Sequence, residues 1–388
     1  MMTSRLNFEL DFRGRPLGTI ENLSLLLEHE KIDVSYNEIM KTLNHNMPEK
    51  NFSRDNEVEA ILANILSLCS RYGLPQQNIS SYLIALADKN RINPVKNWVI
   101  SKPWDEKERI SELAECLICD HPLKGLLLRK WLVSAIAAIS EDGFSTRGVL
   151  TIQGEQGIGK SEFFKRLVPA NQGFFLEGHL LNPADKDSVL SAISHWIVEI
   201  GELDGTLRKA DAARLKAFIS KASDKIRRPY AKSESDYPRR TVFSATVNEL
   251  RFLRDVTGNS RFWVLQCDEI RYDHCINIQM IWAEAYHYYM KGESWHLSKT
   301  EQSIVDACNR SFEQMDPVKE SILATFDFSE NAEVEMTSTA VLISCGFSAS
   351  AINREKATRA GQVLAELTLQ KPRHTRKGNV YLMPKLSK

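Results

Sequence analysis

Eight residues restrict the chain more than any others: Gly154-Glu155-Gln156-Gly157-Ile158-Gly159-Lys160-Ser161, a GxxxxGK[ST] pattern. The apolar run Val149-Leu150-Thr151-Ile152 leads into it, and the helix-forming run from Glu162 to Leu167 follows. Strand, glycine-rich loop and helix in that order make a cradle for a polyphosphate. The glycines let backbone N–H groups wrap phosphate oxygens, and the helix start adds the positive end of its dipole. Gly154, Gln156, Gly157, Ile158, Gly159, Lys160 and Ser161 are the expected phosphate contacts. Lys160 would reach the β and γ phosphates and the Ser161 hydroxyl would ligate Mg²⁺, so the expected cofactors are ATP and Mg²⁺.

Such a loop needs a sheet to hold it and acids beside it. Short apolar runs at Trp196-Ile197-Val198, Thr241 to Ala245 and Phe262 to Leu265 alternate with helical patterns, which predicts an α/β domain with a parallel sheet. The run from His195 passes directly into carboxylates at Glu199, Glu202 and Asp204. One of Glu199 and Glu202 would work through the metal shell and the other on the attacking water, with Glu199 placed beside Ser161 at the metal. Thr241 to Ala245 continues into Thr246-Val247-Asn248, and Asn248 is the candidate for orienting that water. Arg261, displayed just before the Phe262 run, is the candidate arginine finger acting on a neighbouring subunit, with Arg254 the competing choice.

Around this core the 388 residues leave room for two or three domains. At 43% hydrophobic and 26% charged residues, disordered, collagen-like and membrane-embedded classes are excluded. Leu6, Phe8, Leu10 and Phe12 alternate with polar residues as in a strand; helical spacing then runs to about Asp120, with Val95 to Lys102 a linker between prolines. Seven scattered cysteines point to a reducing compartment. The pair Cys116 and Cys119 has no second CxxC to complete a zinc site and is expected to be buried thiol. With no signal-like or membrane-length apolar run, a cytoplasmic location is expected. The net charge of zero conceals a contrast: residues 301 to 350 carry nine acids against two bases, and residues 351 to 388 nine bases against two acids. A basic tail is a candidate nucleic-acid surface.

The phosphate motif, WIVEIGELD, RLKAFISKASDKIRRPYAKSESDYPRR, SATVN, LRDVTGNSRFW and IWAEAYHYYMKGESWHLS occur in order, and together they resemble the virulence-associated protein E family, an ATPase group of phages, their satellites and integrated islands. That family is in turn similar to superfamily 3 helicases, hexameric AAA+ initiators whose rings carry a DNA-gripping hairpin. By position the resemblance maps the hairpin to residues 216–240, making Arg227, Arg228, Lys232, Arg239 and Arg240 DNA contacts. It also favours Arg261 as the finger. The last stretch, Met336 to Pro384, resembles a winged helix, with Arg373, Arg376 and Lys377 at a basic hairpin tip; a small capping subdomain with an exposed basic loop is the alternative. The N-terminal third shows no acidic triad of a primase.

The expected architecture is therefore an α/β P-loop AAA+ ATPase core over residues 121–300, with a mainly helical N-terminal region over 1–120 and a winged-helix-like basic domain over 301–388. The expected activity is ATP-driven DNA unwinding to start replication of a mobile element, by a homo-oligomeric ring, a hexamer. A regulatory or defence switch, or an origin-binding protein that uses ATP only to assemble, is the alternative.

Overall fold

The computed structural model describes residues 6–47, 52–53, 55–201, 212–227, 233–253, 259–313, 317–328, 334–368, 372–375 and 378–384. They form two compact units, Met1–Ser311 and Phe312–Lys388.

The first unit is built on a five-stranded, all-parallel sheet. Its strands lie in the order Phe262–Gln266, Val149–Gln153, Val242–Val247, Ile197–Ile200, Phe175–His179. Four of these are the apolar runs expected from the sequence. The fifth, Phe175–His179, is an FLEGH stretch whose apolar residues stop at Leu176, and its polar second half hides it from a search for apolar strands. The three middle strands are buried along their whole length, as a parallel sheet covered on both faces requires. The helix Lys124–Ser140 supplies much of that cover, and it is apolar nearly all round. Trp131, Trp196 and Trp282 are fully buried within the same core. Each indole N–H finds a carbonyl: Phe243 O at 2.8 Å, Ala135 O at 2.9 Å and Leu167 O at 2.6 Å.

Residues on both sides of position 120 share this core, since Ile39, Val95, Val99, Ile110 and Leu113 belong to the same cluster as Leu150 and Ile197. The N-terminal part also has its own smaller cluster, formed by the helices Ile20–His29, Glu57–Arg71 and Ile79–Lys89 against a three-stranded sheet, Thr42–Asn46, Asp33–Asn37 and Arg91–Ile92. Two expectations are corrected here. Residues 6–12 form no strand beyond a single bridge, Leu10 to Pro16: the chain turns back on itself, with Asp11 N–H donating to Arg15 O at 2.8 Å and Leu17 N–H to Glu9 O at 2.9 Å, and the base of the turn is held by the buried Asn22 side chain. Its Oδ1 accepts from Glu9 N–H at 2.8 Å, and its Nδ2 donates to Glu9 O at 2.9 Å and Leu17 O at 2.8 Å. The supposed linker opens instead with the helix Pro94–Val99, which has proline in its first turn and Asn93 Oδ1 accepting from Lys96 N–H at 2.9 Å. Val95 and Val99 on that helix are fully buried.

The second unit packs the helices Pro317–Thr325, Ser338–Ser344 and Arg354–Thr368 against an antiparallel sheet ordered Val334–Thr337, Gly378–Met383, Arg373–Thr375. Val341, Leu342, Val363, Leu364 and Met383 make its core. The apolar spacing of the tail accounts for the helices. No helix among the described residues is long and apolar enough to cross a membrane.

Candidate phosphate-binding site

The strand Val149–Gln153 delivers the phosphate loop at the carboxyl edge of the sheet, where parallel strands usually place their ligands. The loop turns at Gly157 and Gly159, whose φ angles of 89° and 92° are left-handed. Space as well as conformation demands glycine here. A Cβ on Gly159 would lie 2.1 Å from the Tyr272 ring, and one on Gly154 would lie 2.4 Å from the Cys267 carbonyl oxygen. Lys160 then opens a short helix, Lys160–Lys165.

The Lys160 side chain folds back over the loop and is 8% exposed. Its ammonium donates to Gly154 O at 2.8 Å, Glu155 O at 2.6 Å and Asn248 Oδ1 at 2.8 Å. Burial pushes this ammonium below the ordinary lysine value, and the nearby Glu199 carboxylate works the other way. Glu199 is completely buried at the end of its strand. It forms no ion pair among the described residues; hydrogen bonds compensate it instead. Its Oε1 accepts from Ser161 Oγ at 2.5 Å and Thr246 Oγ1 at 2.8 Å, and its Oε2 accepts from Gly178 N–H at 3.2 Å. A lysine, a serine, a carboxylate and an amide from three chain segments thus meet within direct hydrogen-bonding reach. Hard oxygens from Ser161 and Glu199, side by side, are the donor set that suits Mg²⁺ held between protein and phosphate. The charge and the glycine cradle suit a polyphosphate.

Thr246 and Gly178 are the participants that the sequence argument passes over. Thr246 was readable, since it stands two residues before Asn248 on the same strand and side chains alternate faces. Gly178 was not, because its strand was missed. Glu202 lies outside the described residues, as does Arg254. Arg261 stands at the far edge of the sheet: Phe262 pairs with Val149, the first residue of the phosphate-loop strand. A five-residue strand separates it from its own loop, about 16 Å at the usual rise.

The basic hairpin forms as the antiparallel strands Ser223–Ile226 and Ser235–Pro238. Two of its expected DNA contacts are corrected by burial. Arg239 is 1% exposed, donating from Nε to Asp224 Oδ2 at 2.9 Å and from Nη2 to Phe218 O at 3.2 Å. Its guanidinium lies over the Phe218 ring at 4.4 Å and the Phe243 ring at 5.6 Å, so it has no face left for a phosphate. Arg240 is nearly buried as well, bonded to Asp142 Oδ1 at 2.8 Å with Glu38 at 3.7 Å. Arg227 is exposed at the end of the first hairpin strand, while Arg228 and Lys232 lie outside the described residues. In the second unit Arg373 is exposed and paired with Glu335 at 2.9 Å; Arg376 and Lys377 lie outside the described residues. Cys116 is buried as expected, its thiol donating to Glu112 O at 3.5 Å, whereas Cys119 is only partly buried. No group of three or more metal-ligating side chains occurs among the described residues.

No curated protein matches the chain. Among solved structures it is similar to the A form apo structure of the NrS-1 C terminal region, at 14% identity over 93% of this chain and 98% of that one, with a TM-score of 0.48. A second apo structure of that region gives 14% identity with the same coverage and a TM-score of 0.47. Residues 99–314 match the model of the virulence-associated protein E-like domain, a span that holds the whole parallel sheet, the phosphate loop and the hairpin. The chain belongs to the virulence-associated protein E-like domain family.

Proposed function

We propose that this chain is an ATP-dependent DNA helicase of the superfamily 3, AAA+ type, which starts replication of a mobile genetic element as a ring of identical subunits, a hexamer. One observation carries the reading. The strand Val242–Val247 begins two residues after the hairpin root, Arg239-Arg240, and is followed directly by Asn248, which bonds Lys160. A single strand thus joins the candidate nucleotide site to the basic hairpin.

Lys160 and the loop glycines would hold the phosphates of ATP, and Ser161 with Glu199 would hold Mg²⁺. Bound Mg²⁺·ATP supplies the phosphoanhydride and the neutralisation of its charge. The protein's part is to position. Lys160 shifts from carbonyl and amide oxygens to phosphate oxygens, which releases Asn248 Oδ1 to accept from the attacking water. The water would give up its proton to an acid beyond Glu199, for which Glu202 is the candidate. A neighbour's Arg261 would complete the site, because the chain's own Arg261 stands at the opposite end of the loop strand. On the DNA side, Arg227, Arg228 and Lys232 would follow the backbone in the ring channel. Arg373, Arg376 and Lys377 would meet duplex DNA from a winged-helix-like unit.

The test is strand displacement on a forked duplex. The full chain should separate the strands with Mg²⁺ and ATP and not with ADP. Glu199→Gln should retain nucleotide and lose displacement together with turnover. Hydrolysis without displacement would replace this reading with a nucleotide-controlled regulatory or defence switch. The duplex contact is read from salt. Among the described residues the Arg373 side chain is held by an exposed ion pair, worth about 0–1 kcal/mol, so it is available to a phosphate. Arg373→Ala should therefore lower the slope of log affinity against log salt by about one, with little effect on single-strand-stimulated hydrolysis.

A further inference from the structure

Arg261 is fixed on one side and open on the other. It closes the 3-10 turn Asn259–Arg261, and the buried Asn309 pins the backbone of that turn by donating from Nδ2 to Asn259 O at 3.1 Å and Phe262 O at 2.9 Å. The side chain is held separately. Arg261 Nε donates to Ser220 Oγ at 3.1 Å, and Ser220 Oγ donates in turn to Lys216 O at 3.2 Å. The hydroxyl is thereby used as both donor and acceptor. Arg261 has no carboxylate partner among the described residues, and its two terminal nitrogens make no hydrogen bond among them.

A like charge stands beside it. Phe262 pairs with Val149, so Arg261 and Arg147 leave the same end of adjacent strands, which lie about 4.8 Å apart. Arg147 is exposed and takes part in no ion pair among the described residues. Burial first, and then the charge of Arg147, make the protonated Arg261 less favourable than an ordinary arginine. Without an anchor, the Arg261 guanidinium would turn away from Arg147 into solvent.

We infer that Ser220 is a positioning residue for Arg261: its hydroxyl takes the Nε against the repulsion of Arg147 and leaves both terminal nitrogens for a bidentate grip on a phosphate carried by a second copy of the chain. Terminal nitrogens acting as a pair are what arginine offers and lysine does not. The inference rests on the proposed ring ATPase and adds a link to it. Ser220 lies directly after the helix Ala212–Ile219 and just before the hairpin strand Ser223–Ile226, so the group that would meet a neighbour's nucleotide is bonded to the segment that carries the hairpin.

The experiment compares full-length wild type, Ser220→Ala, Ser220→Thr, Arg261→Ala and the Ser220→Ala/Arg261→Ala pair, measuring ATP turnover with single-stranded DNA, binding of a fluorescent ATP analogue, and melting temperature. Ser220→Ala should lower kcat about 10- to 100-fold, the worth of one hydrogen bond to a charged group, with KM and analogue affinity within about twofold. Its own nucleotide contacts are at the other edge of the sheet. Ser220→Thr should restore kcat, and Ser220→Ala should cost nothing further once Arg261 is gone. Additive losses, or a full kcat in Ser220→Ala beside a crippled Arg261→Ala, would overturn the inference and leave the ATPase reading standing. A full kcat in Arg261→Ala would remove the finger and the role of Ser220 with it. A drop in melting temperature that accounts for the lost kcat, with no rescue by threonine, would show a structural role only and also overturn it.

Discussion

Replacing Lys160 with alanine is expected to lower ATP turnover by about 10²- to 10³-fold, or about 3–4 kcal/mol of transition-state stabilisation. The size follows from where the ammonium sits. It is nearly buried, so its charge acts through a medium less polar than water once nucleotide binding has moved it from its three oxygen acceptors onto phosphate oxygens. No reorganisation is needed when charge develops on the γ phosphate. The variant should still fold. Gly154 O, Glu155 O and Asn248 Oδ1 lose a donor at an open loop where water can replace it, so the melting temperature should move by no more than a few degrees. The measurement is steady-state phosphate release with single-stranded DNA present, alongside thermal melting. Turnover within threefold of wild type would remove the phosphate loop from the chemistry, and the proposed function with it.

The second large effect is on stability. Arg239→Ala should destabilise the first unit by about 3–5 kcal/mol, because it leaves the 3%-exposed Asp224 carboxylate without its principal partner. Lys221, at 3.6 Å, is the remaining cation and is itself half exposed. Loss of packing between the Phe218 and Phe243 rings adds to the cost. For a unit of this size that corresponds to a fall in melting temperature of about 5–8 °C. Removing both charges, Arg239→Met with Asp224→Leu, should recover much of the loss, since a buried ion pair is often no better than apolar residues of similar volume. An Arg239 that bound DNA would behave in the opposite way: Arg239→Ala would weaken DNA binding and leave the melting curve alone.

Arg239 also marks how far the sequence could be read. Its place in a run of bases made it look like a DNA contact, and nothing local distinguishes it from Arg227. What separates the two is the strand pairing that sets Asp224 opposite Tyr237, together with two rings supplied by residues 218 and 243. Those are tertiary facts. The phosphate loop lies at the other extreme. Its glycines, lysine and serine are fixed by local geometry and chemistry, so the motif alone gave strand, loop and helix in their observed order. Glu199 and Asn248, which lie against Ser161 and Lys160, follow from a simple rule, that polar side chains cluster where a buried strand ends. Phe175–His179 is hidden because its apolar residues stop at Leu176, and residues 6–12 alternate like a strand but turn back on residues 15–17, with Asn22 bonding Glu9. Periodicity reports which face is buried; it does not report what satisfies the backbone.

The order of the strands also bears on how the chain is made. Val149–Gln153 lies between Val242–Val247 and Phe262–Gln266, so both of its neighbours are synthesised roughly a hundred residues after it. At about 5–20 residues per second, the strand that carries the phosphate loop waits on the order of ten seconds for its second edge. During that time its apolar faces and unpaired backbone are exposed, the condition in which nascent chains aggregate. Truncation anywhere before residue 262 would leave the waiting permanent. Fragments ending there should be insoluble, whereas those ending after Ser311 should fold.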